Sequence, residues 1–252
     1  MHHSQKPKYS QGKTSSMTYT IYPVKPTDAD GLAEAMMRSF YLDPHWASLW
    51  RGISLDKIIR DCAKRLPWNL VKASMGKRHQ KVVDDESQKI VGYARWILPE
   101  EQDDEWADAL VKELDPERRR MYEQQFQDVT EEGKIRGLNS DMVEELSEAI
   151  EQAESQVRST CGRLLTLDYL ATHPEHQKRG IGSMLLSSGL AYADRKGLET
   201  IIVAKTAGVR LYKEHGFRII EKIQQERPQC GWSEAYTTTI LLRQPQASPT
   251  MP

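Results

Sequence analysis

The chain has 252 residues, enough to bury a large core in one domain or in one domain carrying an insertion, and its 38% hydrophobic and 28% charged content suits a globular protein. It contains no apolar run of the ~18 residues needed to cross a bilayer as a helix, and residues 1–17 lack the apolar centre of a signal peptide. The net charge of −1 hides an acidic stretch at 101–160 and a correspondingly basic remainder. That speaks against nucleic-acid binding through the acidic segment and leaves the rest able to attract an anionic ligand. Cys62, Cys161 and Cys230 lie far apart. Neither a disulfide framework nor a metal cluster is expected, and a reducing, cytoplasmic setting is.

Residues 1–17 read as a disordered tail or a leftover of cloning, with Met17 a workable start. TYTIYPV at 18–24 alternates and is rich in β-branched and aromatic residues, as a first strand would be. Pro26, Thr27 and Asp28 open a helix whose apolar positions Leu32, Ala35, Met36 and Phe40 keep helical spacing. A second helix is expected over 55–75, with Ile58, Ile59, Cys62 and Leu66 on one face. KVVDDESQKIVGYARWIL at 81–98 reads as a hairpin turning at 84–88. From 101 to 158 two helices are expected, one marked by Trp106, Leu110 and Leu114 and the other by Met142, Leu146 and Ile150. Asn139, Ser140 and Asp141 stand where the second would be capped. Their charge pattern predicts a solvated face, with partner binding or substrate cover as the alternative. Strand and helix then alternate: strand 163–172, helix 180–195, strand 200–204, helix 207–215, and two closing strands before a flexible tail at 244–252. Short connections of this kind imply parallel pairing with a right-handed crossover.

The stretch HPEHQKRGIGSMLL at 173–186 falls where strand becomes helix. The first turn of a helix offers unpaired N–H groups and a partial positive charge, and Gly180 and Gly182 would let a ligand reach the backbone. Lys178 and Arg179 add charge, and Gln177 an amide donor. The spacing is neither that of the nucleotide-triphosphate loop nor that of the dinucleotide fingerprint. On these grounds alone a pyrophosphate ligand and a plain packing turn both remain open.

Leu170-Ala171-Thr172-His173-Pro174 followed by Gln177-Lys178-Arg179-Gly180-Ile181-Gly182 resembles the signature of the GNAT superfamily of acetyl-CoA-dependent N-acetyltransferases. GVRLYKEHGF at 208–217 resembles that family's helix ending in Leu-Tyr, with Gly-Phe opening the next strand. The resemblance runs through the strand order of 18–243 and is weakest over 101–158. It implies an α/β GNAT fold in a single domain, 18–243, with a mixed central sheet of about seven strands flanked by helices. The helical segment, about 101–160, becomes an insertion between the third and fourth of those strands.

The resemblance also implies that acetyl-CoA is the donor. Its pyrophosphate would lie on Gln177, Lys178, Arg179, Gly180, Ile181, Gly182 and Ser183. Its pantetheine arm would run along the main chain of Leu170, Ala171 and Thr172, between two splayed strands, with Thr206 a further contact. Thr172 stands where valine is commoner. Lys205 and Thr206 replace the usual Ser or Asn, so Lys205 is left to touch a phosphate or face solvent.

Acetyl transfer needs an amine freed of its proton, a stabilised oxyanion and a protonated leaving thiolate. By resemblance Tyr212 is the general acid and a main-chain N–H at Leu170 or Ala171 the oxyanion donor. Asp168 is the candidate base, on the face of Leu170 and Thr172 if alternation holds. A packing role for Tyr212 and a structural role for Asp168 are the alternatives. His173 and His176 are assigned to loop packing. His45, Trp46 and Trp50, with the segment around Trp232, are candidates for an aromatic amine pocket, against a plain core role for the tryptophans.

The reading is a direct, ternary-complex N-acetyltransferase for a primary amine of a small molecule, using no metal, nucleic acid or membrane; a homodimer is allowed. The alternatives are a peptide or protein amine as acceptor, a non-catalytic acyl-CoA-binding module, and a helical interaction protein built on 101–158.

Overall fold

The computed structural model describes residues 18–50, 52–72, 76–99, 106–111, 115–227 and 232–246. Residues 1–17, Leu114, Cys230 and residues 247–252 lie outside the described residues. In chain order the first strand, β1, is Tyr19–Pro23, and a short 3-10 turn leads into α1, Ala29–Phe40. The helices α2, Pro44–Ser48, and α3, Leu55–Val71, precede the hairpin of β2, Lys77–Asp84, and β3, Ile90–Ile97. After them come α4, Pro116–Asp128, a two-rung hairpin of β4, Thr130–Glu131, and β5, Lys134–Ile135, and then α5, Ser140–Ser159. The chain continues through β6, Leu164–Thr172; α6, Ile181–Lys196; β7, Glu199–Lys205; α7, Thr206–Glu214; β8, Arg218–Gln225; and β9, Tyr236–Arg243.

Seven strands form one mixed sheet in the order β1-β2-β3-β6-β7-β9-β8. The β6–β7 pair is parallel, joined by α6 as the pattern of strand, helix and strand requires, and its neighbours in the sheet are antiparallel. One face of the sheet carries α6 and α7. Leu185, Leu186, Leu190 and Ala193 of α6 are buried in a cluster with Trp96, Leu165, Leu167 and Ile202. Each fully buried leucine of this stripe contributes roughly 1.5–3 kcal/mol of transfer free energy. The opposite face carries α1 and α3 over β3 and β6, and α5 over β7 and β9.

Two glycines seat α6. A Cβ on Gly92 would lie 2.6 Å from Ile181, the first residue of α6, and one on Gly189 would lie 2.2 Å from the Trp96 ring. Both contacts are closer than atoms can stand, so the helix approaches the sheet only because these side chains are missing.

Three expectations are corrected. No α-helix spans Trp106 and Leu110: Trp106 is left-handed at φ +65° and leads into a 3-10 turn, Ala107–Ala109. The helix begins instead at Pro116, where Asp115 accepts a bond from Arg118 N–H at 2.9 Å and proline takes the first helical position. The strand β2 starts at Lys77 rather than Lys81, because Arg78, His79 and Gln80 are buried in it despite their polarity. And α5 is more than a solvated helix, since it buries Leu146, Ala153 and Val157. Asn139 does cap α5, accepting from Met142 N–H at 3.4 Å.

Candidate active site

The parallel ladder between β6 and β7 runs only from Leu164, opposite Glu199, to Leu167, opposite Ile202. Beyond it, β7 continues to Lys205 paired with β9, and β6 continues to Thr172 paired with β3. The stretch from Asp168 to Thr172 therefore lines a gap in the middle of the sheet, with every second N–H and C=O turned into it.

A β-bulge marks the point of divergence. Arg95 pairs with Tyr169 and Trp96 with Leu167, so Asp168 is the extra residue. Leu165, Leu167 and Leu170 pack with the α6 core, whereas Tyr169 and Ala171 pack with the α1/α3 core. Alternation is broken at Asp168, and the expectation that it shares a face with Leu170 and Thr172 is corrected. Its Oδ2 accepts a bond from Arg95 Nε, and the guanidinium lies 4.2 Å from the centroid of the Tyr169 ring. This partner explains how a carboxylate sits in an otherwise apolar strand.

The glycine turn lies at the end of the gap. Lys178 and Gly180 are both left-handed, at φ +61° and +85°, and a Cβ on Gly180 would meet nothing within 4 Å. No side chain caps α6 at Gly180, so its first-turn N–H groups keep their capacity for an anion. Lys178, Arg179 and Gly180 are exposed, while Ile181 is buried and anchors the turn from below. Gln177 is already committed, donating to Thr172 O at 3.3 Å, and a Cβ on Gly182 would lie 3.1 Å from Leu211. Gly182, Ser183 and Thr172 are half-buried, and Thr206 is exposed at the start of α7.

His173 accepts from Glu175 N–H at 3.3 Å, and His176 Nδ1 lies 3.1 Å from the Tyr19 hydroxyl. With Glu175 they form the one group of ligand atoms within 4.8 Å of one another among the described residues. Both rings are used in shaping the turn.

Tyr212 lies on α7, buried to 7% exposure beside Phe217 at 6.0 Å between ring centroids. Burial raises its pKa above the usual phenol value and keeps the hydroxyl protonated. No hydrogen-bond partner for that hydroxyl is found among the described residues.

On the other face, aromatic rings from four elements meet. Phe40 lies 5.8 Å from Tyr169 and 5.9 Å from Trp46, and Trp46 lies 5.3 Å from Trp50. His45 lies 4.8 Å from Trp232 and 5.6 Å from Tyr236 on β9, and its Nε2 is 3.1 Å from Glu234 O. His45 and Trp46 are half-buried, but Trp50 is 7% exposed and belongs to the core behind them. Sequence reasoning named three members of this wall and the region of Trp232, and missed Phe40, Tyr169 and Tyr236. Leu146 of α5 packs in the same cluster as Leu49 and Tyr236, so the acidic segment backs the wall.

Residues 143–219 match the family model described as the acetyltransferase (GNAT) domain. Over those residues the chain is similar to a GNAT acetyltransferase domain. The matched segment holds β6, the glycine turn, α6, β7 and α7, while the aromatic wall lies mostly outside it. No curated protein sequence matches the chain. Among solved structures, it is similar to the C-terminal condensation domain of Ebony in complex with beta-alanyl-dopamine. The TM-score is 0.58 at 14% identity, over 90% of this chain and 99% of that one. It is also similar to mosquito arylalkylamine N-acetyltransferase like 5b, with TM-score 0.54 at 13% identity over 90% and 100% of the two chains. A histone acetyltransferase HPA2 and related acetyltransferase from Corynebacterium glutamicum ATCC 13032 gives 0.53 at 17%, over 93% and 100%. At these identities the likeness establishes the GNAT fold and leaves the acceptor open.

Proposed function

We propose that the protein transfers acetyl from acetyl-CoA to a primary amine of a small molecule, directly within a ternary complex. The observation that carries this reading is the gap between β6 and β7, which opens at the uncapped N-terminus of α6 and has Tyr212 on the helix that follows β7. Along Leu170, Ala171 and Thr172, the main-chain groups that turn away from β3 suit an extended ligand bonding as a neighbouring strand would, with Thr172 O already taking one bond from Gln177. The turn from Gln177 to Ser183 supplies N–H groups and positive charge for a pyrophosphate, and Thr206 a hydroxyl.

In this mechanism the amine nitrogen attacks the thioester carbonyl carbon and the carbon–sulfur bond breaks. An N–H of Leu170 or Ala171 holds the oxyanion, and Tyr212 gives its proton to the leaving sulfur. Asp168 takes the amine proton, directly or through water, by way of Oδ1, since Oδ2 is held by Arg95. Replacing Tyr212 by Phe should lower kcat at least ten-fold and leave acetyl-CoA affinity within a factor of about three, since general acid catalysis contributes typically 10²–10⁴-fold. The experiment is coenzyme A release from acetyl-CoA across polyamines, arylalkylamines, amino sugars, amino acids and basic peptides, with calorimetric binding of acetyl-CoA. Loss of acetyl-CoA binding in the wild type would sink the assignment of the gap and the turn. Turnover of basic peptides alone would favour a protein acceptor, and binding without any turnover a non-catalytic module.

A further inference from the structure

Lys205, the last residue of β7, was expected to touch a phosphate or face solvent; the structure turns its ammonium onto β9. It shares the strand face of Ile201 and Val203, which pack in the α5-side cluster, opposite the face covered by α6. Its ammonium donates to the Tyr236 hydroxyl and, at 2.9 Å, to Thr238 Oγ1 on β9. It also stands 3.7 Å from the centroid of the Tyr236 ring, which belongs to the wall with His45 and Trp232.

This cation is half-buried and has no ion-pair partner among the described residues. Asp43, whose charge it feels, is engaged elsewhere. Its carboxylate accepts from the N–H groups of His45 at 2.9 Å and Trp46 at 3.4 Å, and lies 3.4 Å from His45 Nδ1. Burial accordingly lowers the Lys205 pKa to about 8, with Asp43 opposing only in part. An ammonium taken out of water and given two neutral hydroxyls is short of negative charge. One of its three N–H donors is left for a ligand, on the face of the sheet where the acceptor wall stands.

We infer that Lys205 binds a carboxylate on the acceptor, so that the amine being acetylated is that of an amino acid. The inference rests on the acetyltransferase reading and narrows its acceptor. A single remaining donor in an aromatic setting suits a monoanion, whereas a phosphate dianion would call for several donors.

The test uses matched amines that differ only in the carboxylate: phenylalanine against phenethylamine, and tyrosine against tyramine. Wild-type protein is expected to favour the carboxylated member of each pair at least ten-fold in kcat/KM. In Lys205→Met, which keeps the aliphatic stem, the ratio within each pair should collapse toward one, mainly through a rise in KM for the amino acid. Lys205→Arg, which keeps the charge, should retain most of the preference. In parallel, binding of N-acetylphenylalanine and N-acetylphenethylamine is measured by calorimetry in the presence of coenzyme A, with thermal melts to show that each variant is folded. A wild-type preference for the decarboxylated amines, or an equal carboxylate preference in Lys205→Met, overturns the inference while the acetyltransferase reading stands. Carboxylate binding that depends on Lys205 without turnover of any amine supports the carboxylate site but overturns the enzyme, and with it the assignment of the amino acid as acetyl acceptor. Absence of both binding and turnover overturns the two together.

Discussion

Arg243 holds three parts of the molecule with one side chain. Its two terminal nitrogens meet both oxygens of Asp194 near the end of α6, at 2.7 and 2.9 Å, and its Nε donates at 3.1 Å to His215 O, just after α7. Because the guanidinium is only 4% exposed, removing it strands a carboxylate and a carbonyl. Arg243→Met should therefore cost about 3 kcal/mol and lower Tm by roughly 6–12 °C, read in a thermal melt. Burial disfavours the charged form of Asp194, but the bonds from Arg243 and from Gln246 N–H outweigh it and hold its carboxyl below the usual 3.8. A depressed carboxyl stabilises the fold above its unfolded pKa and loses that contribution as pH falls through the folded one. The stability gap between wild type and Arg243→Met should thus be full at pH 7 and shrink below about pH 4, as urea melts at the two pH values would show. At this scale the sequence was informative where chemistry is local and blind where a partner comes from afar. Gly180, Tyr212 and His45 could be named as candidates from motif and composition. The bond from Arg95 to Asp168 joins residues 73 positions apart and depends on a bulge that no residue pattern announces. Lys205 read as a phosphate contact or a surface cation because nothing next to it in the chain says that its ammonium will bond to β9.

The position of α6 decides whether the glycine turn faces the gap, and that position depends on absent side chains. Gly189→Ala improves helix propensity by ~1 kcal/mol, yet its methyl would stand 2.2 Å from two atoms of the Trp96 indole. Overpacking of this kind costs ~1–3 kcal/mol, so the variant should melt lower than wild type despite the better helix former. A rise in Tm would show that α6 is free to move outward. The elements whose start or stop is written in local chemistry were legible: α5 behind Asn139, the β6–turn–α6 unit, and both closing strands. The stretch after Trp106 was misread because helical spacing of a few apolar residues is weaker information than a capping Asp followed by Pro. The first half of β2 escaped notice because burial of Arg78 and His79 is a property of the sheet's neighbours, not of the segment.

For the whole molecule, the acidic segment is part of the wall of the protein. With α5 removed, Leu164, Ile201 and Ile240 would lose the helix that covers them, and Tyr236 the packing of Leu146. Deletion of 115–160, bridged by a flexible linker, should therefore abolish the cooperative thermal transition and acetyl-CoA binding together. A deletion variant that still melts cooperatively and binds the donor would mark the segment as a detachable partner-binding arm. The sheet itself has a weak seam. Two half-sheets, β1-β2-β3-β6 and β7-β9-β8, are laced to each other by four residue pairs, Leu164 with Glu199 through Leu167 with Ile202. They stand like the covers of a book stitched along a fraction of its spine. A donor lying in the open part would touch both covers, so its grip depends on the angle between them, and anything that loosens the stitches changes how firmly the book can close.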